Sequence, residues 1–481
     1  MRALHVLVLA AGGFAAGCAS FAVNPAFDAP LPPSAGYRFE NLEGGEDADS
    51  TFLVLTASGG GTRAAAFTYG AMAAMHETEI APGRNLLGEL DVLSSVSGGS
   101  FAAAYYGLFP DDFLARFPED VLYRPIQTDL LLKALAPWNL LRIASPSFSR
   151  SDLAVEYYDE EIFRHRSYDE LPRRRPWIVL NATDLSSGAQ FSFTQEQFDP
   201  LCSNLGGVSV ATGVTASSAF PIAFPPLTLR NYPKSNKCGY ETPVWTEMAG
   251  SDFEVAPERW SFARSHREYE DDERRPYLHL SDGGLADNIG LRPLLNSVDR
   301  GDSLGLYAGV SSGRIKRLAV IVVDAKPRGE PEADRSPRPP GFTKVLEAAA
   351  TRPMENYSSE SVQRMRLWFD EWDKATSDFA AIRSRCDARG SGAARCRREF
   401  GVTDEDRPPH PELYIIHVRF DAVPDEYATD RKRLESVPTA LELPRKDVDL
   451  LVGWARRLLA ESLEYQRLVR DLRGNREAST D

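Results

Sequence analysis

After its first residues the chain has no apolar run approaching the roughly 18 residues that a spanning helix requires, so no later transmembrane helix is expected. Cysteine is scarce, five in 481 residues, with no C-x-x-C pair and no histidine cluster to supplement the thiols. That composition excludes the usual zinc frameworks, and no metal or other cofactor is expected. Positive charge is also short, with 55 Lys and Arg against 69 Asp and Glu and a net charge of −14. An acidic balance of this size speaks against a nucleic-acid partner and gives only weak attraction to anionic lipid faces. The phosphate-cradling pattern G-x-x-x-x-G-K-[ST] is missing too, which removes a P-loop reading. What remains is a chain with 43% hydrophobic and 26% charged residues, ample for a large core.

Three short segments carry chemistry. Leu93-Ser-Ser-Val-Ser-Gly-Gly-Ser100 follows the apolar Leu90, Val92 and Leu93 and precedes the helix-prone Phe101-Ala-Ala-Ala-Tyr-Tyr. This reads as a strand, a cramped turn and a helix, in which the Ser97 hydroxyl projects beyond the sheet edge while the small Ser95 and Gly99 avoid collision. Ser97 is therefore a candidate nucleophile. Upstream, the strand-like Thr51-Phe-Leu-Val-Leu-Thr runs into Gly59-Gly60-Gly61-Thr62-Arg63 and then Ala64-Ala-Ala-Phe. Consecutive glycines ahead of a helix leave backbone N–H groups free to converge on an oxyanion, and an ordinary tight turn is the competing reading. Arg63 either holds this loop or attracts an anionic head group. Downstream, Tyr277-Leu-His-Leu-Ser-Asp282-Gly283-Gly284 ends a short strand in an aspartate before a glycine pair that allows a sharp turn. Asp282 is the candidate base. An aspartate with its ordinary pKa of about 3.9 serves there only in a partly desolvated site. His279 stands three residues before Asp282, on the opposite strand face, and is expected to point away from the serine.

Taken together, these segments resemble the patatin-like phospholipases, whose pattern is a G-G-G-x-[RK] oxyanion loop, a G-x-S-x-G serine elbow and a D-G-[GA] aspartate. Asn181-Ala-Thr-Asp-Leu with Phe191-Ser-Phe-Thr, and Ala216-Ser-Ser-Ala-Phe-Pro, are similar to that family as well. The one departure is Ser95 in place of the first elbow glycine. The resemblance implies a Ser97–Asp282 dyad without a histidine relay, with the amides of Gly59, Gly60 and Gly61 holding the oxyanion during cleavage of a lipid acyl ester by way of an acyl-enzyme. Alternatives are an inert lipid-binding lipoprotein, and an acyltransferase or esterase acting on non-phospholipid acyl donors.

The N-terminus, with Arg2, the apolar stretch Ala3 to Ala16 and Ala15-Ala16-Gly17-Cys18, looks like a bacterial lipoprotein signal. That class implies a signal over residues 1–17, lipid modification of Cys18 and, with Ala19 following, retention at the outer membrane facing the periplasm. In such an oxidising compartment the other four cysteines permit three pairings, of which proximity favours Cys202–Cys238 and Cys386–Cys396.

Residues 18–49, rich in Pro, Gly, Asn and acids without periodicity, read as a tether. From 50 to 326 apolar strands alternate with helical stretches, which argues an α/β fold: three layers, a mostly parallel central sheet and helices on both faces. Residues 327–481 read as a mainly helical extension, with one strand at Leu413–Phe420 and a closing helix from about Arg445 to Arg470, packed on the core and completing its sheet. Two insertions stand out. Asp129 to Ile143 is strongly apolar and broken by Pro137, either a buried helix pair or a segment that lines an acyl channel or dips into an interface. Arg264 to Arg275 is dense in both charges and reads as an exposed loop.

Overall fold

The computed structural model describes residues 24–477 apart from residues 28, 30, 45–49, 222, 233–237, 250–253, 255–256, 300–303, 328–336, 338 and 405–410. The signal and Cys18 lie outside the described residues. Within them the strands are β1 (Thr51–Ala57), β2 (Glu79–Ala81), β3 (Arg84–Asn85), β4 (Val92–Val96), β5 (Trp177–Asp184), β6 (Gln190–Ser192), β7 (Leu227–Arg230), β8 (Tyr277–Asp282), β9 (Arg317–Asp324) and β10 (Glu412–Arg419). The principal helices are α1 (Gly61–Glu77), α2 (Gly98–Leu108), α3 (Ile126–Leu135), α4 (Pro137–Ile143), α5 (Arg150–Glu161), α6 (Val210–Ser217), α7 (Gly284–Asp287), α8 (Phe342–Asp387), α9 (Arg445–Glu461) and α10 (Leu463–Glu477).

The central sheet runs β10-β9-β1-β4-β5-β8-β7, with β6 paired to β5 and the β2–β3 hairpin apart. The neighbours from β10 to β5 are parallel, whereas β8 is antiparallel to both β5 and β7. Buried parallel strands need no alternation, and β9 (Arg-Leu-Ala-Val-Ile-Val-Val-Asp) is buried along its whole length. At the edge, β10 alternates, turning Tyr414, Ile416 and Val418 inward. Helices surround this sheet, giving an α/β fold. The C-terminal region adds β10 to the sheet edge beside β9 and lays α9 against α1.

Three local expectations need correction. The stretch read as a tether is, over its described residues, a packed strap: Phe39 meets Phe52 and Trp177 with ring centroids 5.8 and 5.9 Å apart, Arg38 pairs with Asp199 at 2.7 Å, and the Tyr37 hydroxyl accepts the Ile178 N–H. Its buried anchors, Phe27, Tyr37, Phe39 and Leu42, keep no sustained period, so periodicity does not reveal them. Arg264–Glu268 ends a helix (Pro257–Glu268) rather than a loop, tied by an i,i+4 ion pair, and Arg275 reaches in to the buried Asp184 at 2.6 Å. The closing helix is two, α9 and α10, parted at Ser462, whose backbone is extended. The apolar insertion folds as α3 and α4, and most of its leucines face solvent instead of a core.

Candidate active site

Strand register brings the two chemical side chains level. Val96 pairs with Asn181 on β5, and the next β5 residue, Ala182, pairs with Asp282 on β8. Ser97, one step beyond Val96, therefore faces the end of β8. The antiparallel run of β8 delivers Asp282 to the row at which β4 ends.

Ser97 caps α2 with φ 49° and ψ −117°, an uncommon backbone for a residue with a Cβ. The strain is held from several sides. Its N–H donates to Ser217 Oγ at 2.9 Å, and the Ser217 hydroxyl donates to the Asn181 carbonyl at 2.6 Å. The following residues have no room for side chains, since a Cβ at Gly98 would lie 2.0 Å from the Gly61 carbonyl oxygen and one at Gly99 2.8 Å from Ala57 Cβ. Ser95 fits the elbow through its hydroxyl, which lies 3.1 Å from Ser100 Oγ, itself 2.9 Å from Ser217 Oγ. A chain of three hydroxyls thus runs beneath the turn.

Asp282 is almost wholly buried. Burial pushes its carboxyl up to about 6, against the opposing pull of the Gly284 N–H, 2.8 Å from Oδ1, and of the nearby Ser97 hydroxyl. Among the described residues no cation contributes to this balance. The turn after it depends on space: a Cβ at Gly283 would sit 2.1 Å from the Asn181 carbonyl oxygen, and one at Gly284 2.1 Å from Met354 Cε of α8. His279 bonds Thr228 Oγ1 through Nδ1 at 3.0 Å, on the exposed strand face away from Asp282.

The glycine loop divides differently from its sequence reading. The Gly59 N–H donates to the Asn288 carbonyl at 2.9 Å, so Gly59 is anchored and is not an oxyanion donor in this arrangement. The N–H groups of Gly60 and Gly61 meet no acceptor among the described residues, and Gly61 begins α1, at the positive end of its dipole. Gly60 has φ 139° and Gly61 φ 61°, values that favour glycine. Arg63 is a clamp and not a head-group contact: it is buried, with Nε donating to the Ala325 carbonyl at 2.9 Å and Nη1 to that of Val437 at 2.7 Å. Burial lowers its pKa to about 10, opposed by the nearby Asp324.

Two residues with no role assigned from the sequence support this site. Ser217 carries the elbow amide, and Asn288 touches both loops, its carbonyl taking the Gly59 N–H while its Oδ1 lies 2.8 Å from where a Cβ of Gly284 would stand. Ser217 falls in Ala216-Ser-Ser-Ala, a stretch similar to the family, which marked the region without marking the contact, whereas Asn288 lies four residues beyond Gly284, past the aspartate motif. Among the described residues no group of three or more His, Cys, Asp or Glu is placed to hold a metal ion. Cys202 is joined to Cys238 and Cys386 to Cys396, with Cα atoms 5.2 and 5.3 Å apart.

Among solved structures, human GIVD cytosolic phospholipase A2 matches with 13% identity and a TM-score of 0.36, covering 61% of this chain and 51% of its own, about half its length. A search of curated proteins gives no match. The family model described as patatin-like phospholipase matches residues 55–295, a span that holds the Gly59–Arg63 loop, the strained Ser97 and the buried Asp282. With half of its length covered by that match, and with the same three segments meeting at one sheet edge, the chain belongs to the patatin-like phospholipase family.

Proposed function

We propose that this chain is a membrane-tethered serine lipid acyl hydrolase, cleaving phospholipid or related acyl esters through a Ser97–Asp282 dyad. The observation that carries the reading is a strained serine that strand register brings level with a buried aspartate, on whose carboxyl no cation acts among the described residues. A carboxyl raised to about 6 is a stronger base than an ordinary aspartate and is still ionised at neutral pH. In the first half-reaction Ser97 Oγ attacks the ester carbonyl, its proton passes to Asp282, and the negative carbonyl oxygen is held by the amides of Gly60 and Gly61. Collapse expels the alcohol, which takes the proton from Asp282. In the second half-reaction water attacks the acyl-Ser97 ester and Asp282 again accepts the proton, returning it to the departing Ser97 oxygen.

Attachment belongs to the same proposal. A small-residue run ending in Cys18, then Ala19, supports a lipid-modified N-terminus at the outer membrane facing the periplasm, and two disulfides suit an oxidising compartment. The test is mass spectrometry of products from native membrane lipids. Ser97→Ala and Asp282→Asn are each expected to lower turnover by about 10⁴-fold while remaining folded. Undiminished turnover in either variant would remove the dyad, and a Cys18→Ser protein still in the outer-membrane fraction would remove the tether.

A further inference from the structure

The surface formed by α3 and α4 is unlike the rest of the described exterior. Leu131, Leu132, Leu135, Trp138, Leu140 and Leu141 are 49–76% exposed, six large apolar side chains within eleven residues. On α3 the spacing separates two sides: Ile126 and Leu130 are buried against the core, while Leu131, Leu132 and Leu135 lie on the opposite arc. The pair is held in shape and does not hang loose. The Asn139 side chain donates to the Lys133 carbonyl at 2.9 Å and accepts from Arg142 at 3.1 Å, and the Arg142 guanidinium lies 3.8 Å from the centroid of the Phe148 ring. Soluble surfaces rarely keep so many apolar side chains together unless something covers them.

We infer that α3 and α4 form a docking surface for a lipid bilayer of zwitterionic headgroups, inserting Leu131, Leu132, Leu135, Trp138 and Leu141 at the interface. Two observations choose this occupant. The first is charge: the cations beside the patch are already paired within the protein, Lys133 with Glu160 at 3.1 Å and Arg142 with Glu156, and the chain as a whole carries −14. Such a surface offers nothing to anionic headgroups and enters by apolar burial alone. The second is position. At the start of α3, Gln127 Oε1 accepts the Leu441 N–H and Thr128 bonds Glu442, and the adjacent Ala440 carbonyl accepts the Thr62 N–H of the oxyanion loop. The patch therefore shares a framework with the loop that opens beside Ser97, and docking there brings the site to its lipid. This inference rests on the lipid-hydrolase reading for its purpose, although its test does not depend on catalysis.

The test uses the full chain carrying Ser97→Ala and Cys18→Ser, so that the vesicles stay intact and no lipid anchor contributes to binding, and vesicles of phosphatidylcholine and phosphatidylethanolamine with brominated acyl chains. Comparison with a Trp138→Phe protein isolates the Trp138 fluorescence, which bromine quenches only on insertion. Quenching of that component, together with at least about a tenfold loss of vesicle binding in a Leu132→Ser/Trp138→Ser/Leu141→Ser protein, is the expected result. In the active chain the same triple substitution keeps turnover of a soluble short-chain ester and loses turnover on vesicles. Unquenched Trp138 in vesicle-bound protein overturns the inference, as does undiminished binding by the triple variant. A concentration-dependent dimer in light scattering that the triple variant abolishes also overturns it, by assigning the patch to a second copy. Failure of ester turnover with intact Trp138 quenching would strike the catalytic reading and leave the docking surface standing.

Discussion

Opposite ends of the central strands each bury an aspartate, and in both cases burial raises the carboxyl to about 6. Asp91, just before β4, receives the Leu53 N–H at 2.7 Å and an ion pair from Arg175, whose guanidinium also lies 4.6 Å from the Phe39 ring centroid. Asp282, at the other end, receives one backbone N–H and has the Ser97 hydroxyl nearby. The raised pKa is the same, so the shift alone does not mark a catalytic group. Partner chemistry does. A carboxylate matched to a guanidinium and an amide is a brace that ties β1, β4 and β5 together where they begin. A carboxylate left with neutral donors keeps its basicity available to the proton of Ser97.

If that distinction holds, removing the charge has different consequences at the two sites. Asp91→Asn relieves the same desolvation but leaves the Arg175 guanidinium without its carboxylate, and the two effects offset, so stability at pH 8 is expected to stay within about 1 kcal/mol of wild type. Asp282→Asn removes a buried charge that has no counter-charge and is expected to stabilise the fold by about 1 to 3 kcal/mol at pH 8. The sign follows from linkage: above pH 6 the native carboxylate bears the desolvation cost, and as pH falls from about 6 toward 4 the native state takes up its proton before the unfolded chain does. The gain from Asp282→Asn therefore shrinks to near zero by pH 4. Urea unfolding of both variants at pH 8 and pH 4 reads this directly, and equal effects in both would erase the comparison.

The pH dependence of turnover gives the next largest effect. Ser97 needs an ionised Asp282, so kcat/KM is expected to plateau above neutrality and to fall about tenfold for each unit below a midpoint near pH 6. Asp91 titrates in the same region without touching substrate, and its neutralisation affects only stability. The Asp91→Asn protein, measured where it remains folded, should keep the same midpoint. A midpoint near 4 in the wild type would mean that the carboxyl is hydrated in solution and that the enclosed geometry does not persist.

Much of this was legible in the sequence, for identifiable reasons. The buried parallel strands announce themselves as continuous apolar runs, and Gly60, Gly61, Ser97 and Asp282 stand in turns framed by an apolar strand on one side and small or helix-prone residues on the other. The antiparallel run of β8 was not legible, because local pattern carries no strand direction. Nor was the use of Gly59 as an anchor, since three adjacent glycines look alike until the Asn288 carbonyl is brought beside the first. Arg63 was open in sequence between clamp and head-group contact, and the choice was made by two carbonyls 262 and 374 residues away. The strap over residues 24–44 was hidden because its anchors, Tyr37 and Phe39 among them, are held by scattered long-range contacts. In each case the missing information lies in which distant segment arrives, a property of topology and not of spacing.

The smallest expected effect concerns Ser95, the one departure from the family pattern. Its hydroxyl starts the chain through Ser100 to Ser217, and Ser217 in turn carries the Ser97 amide, while Asp282 receives nothing from that chain. Ser95→Gly removes one hydroxyl and leaves Ser100 bonded to Ser217, so it is expected to cost about 1 kcal/mol of stability, part of it the entropy of a glycine in a strand. Turnover should stay within about threefold of wild type, the magnitude of a slightly loosened elbow, and the pH midpoint should not move. Burial and the Ser97 and Gly284 donors set the carboxyl of Asp282, and all three survive the substitution. A shift of the midpoint in Ser95→Gly would show instead that the elbow's backbone position governs the approach of Ser97 to Asp282, making the hydroxyl chain part of what tunes the base.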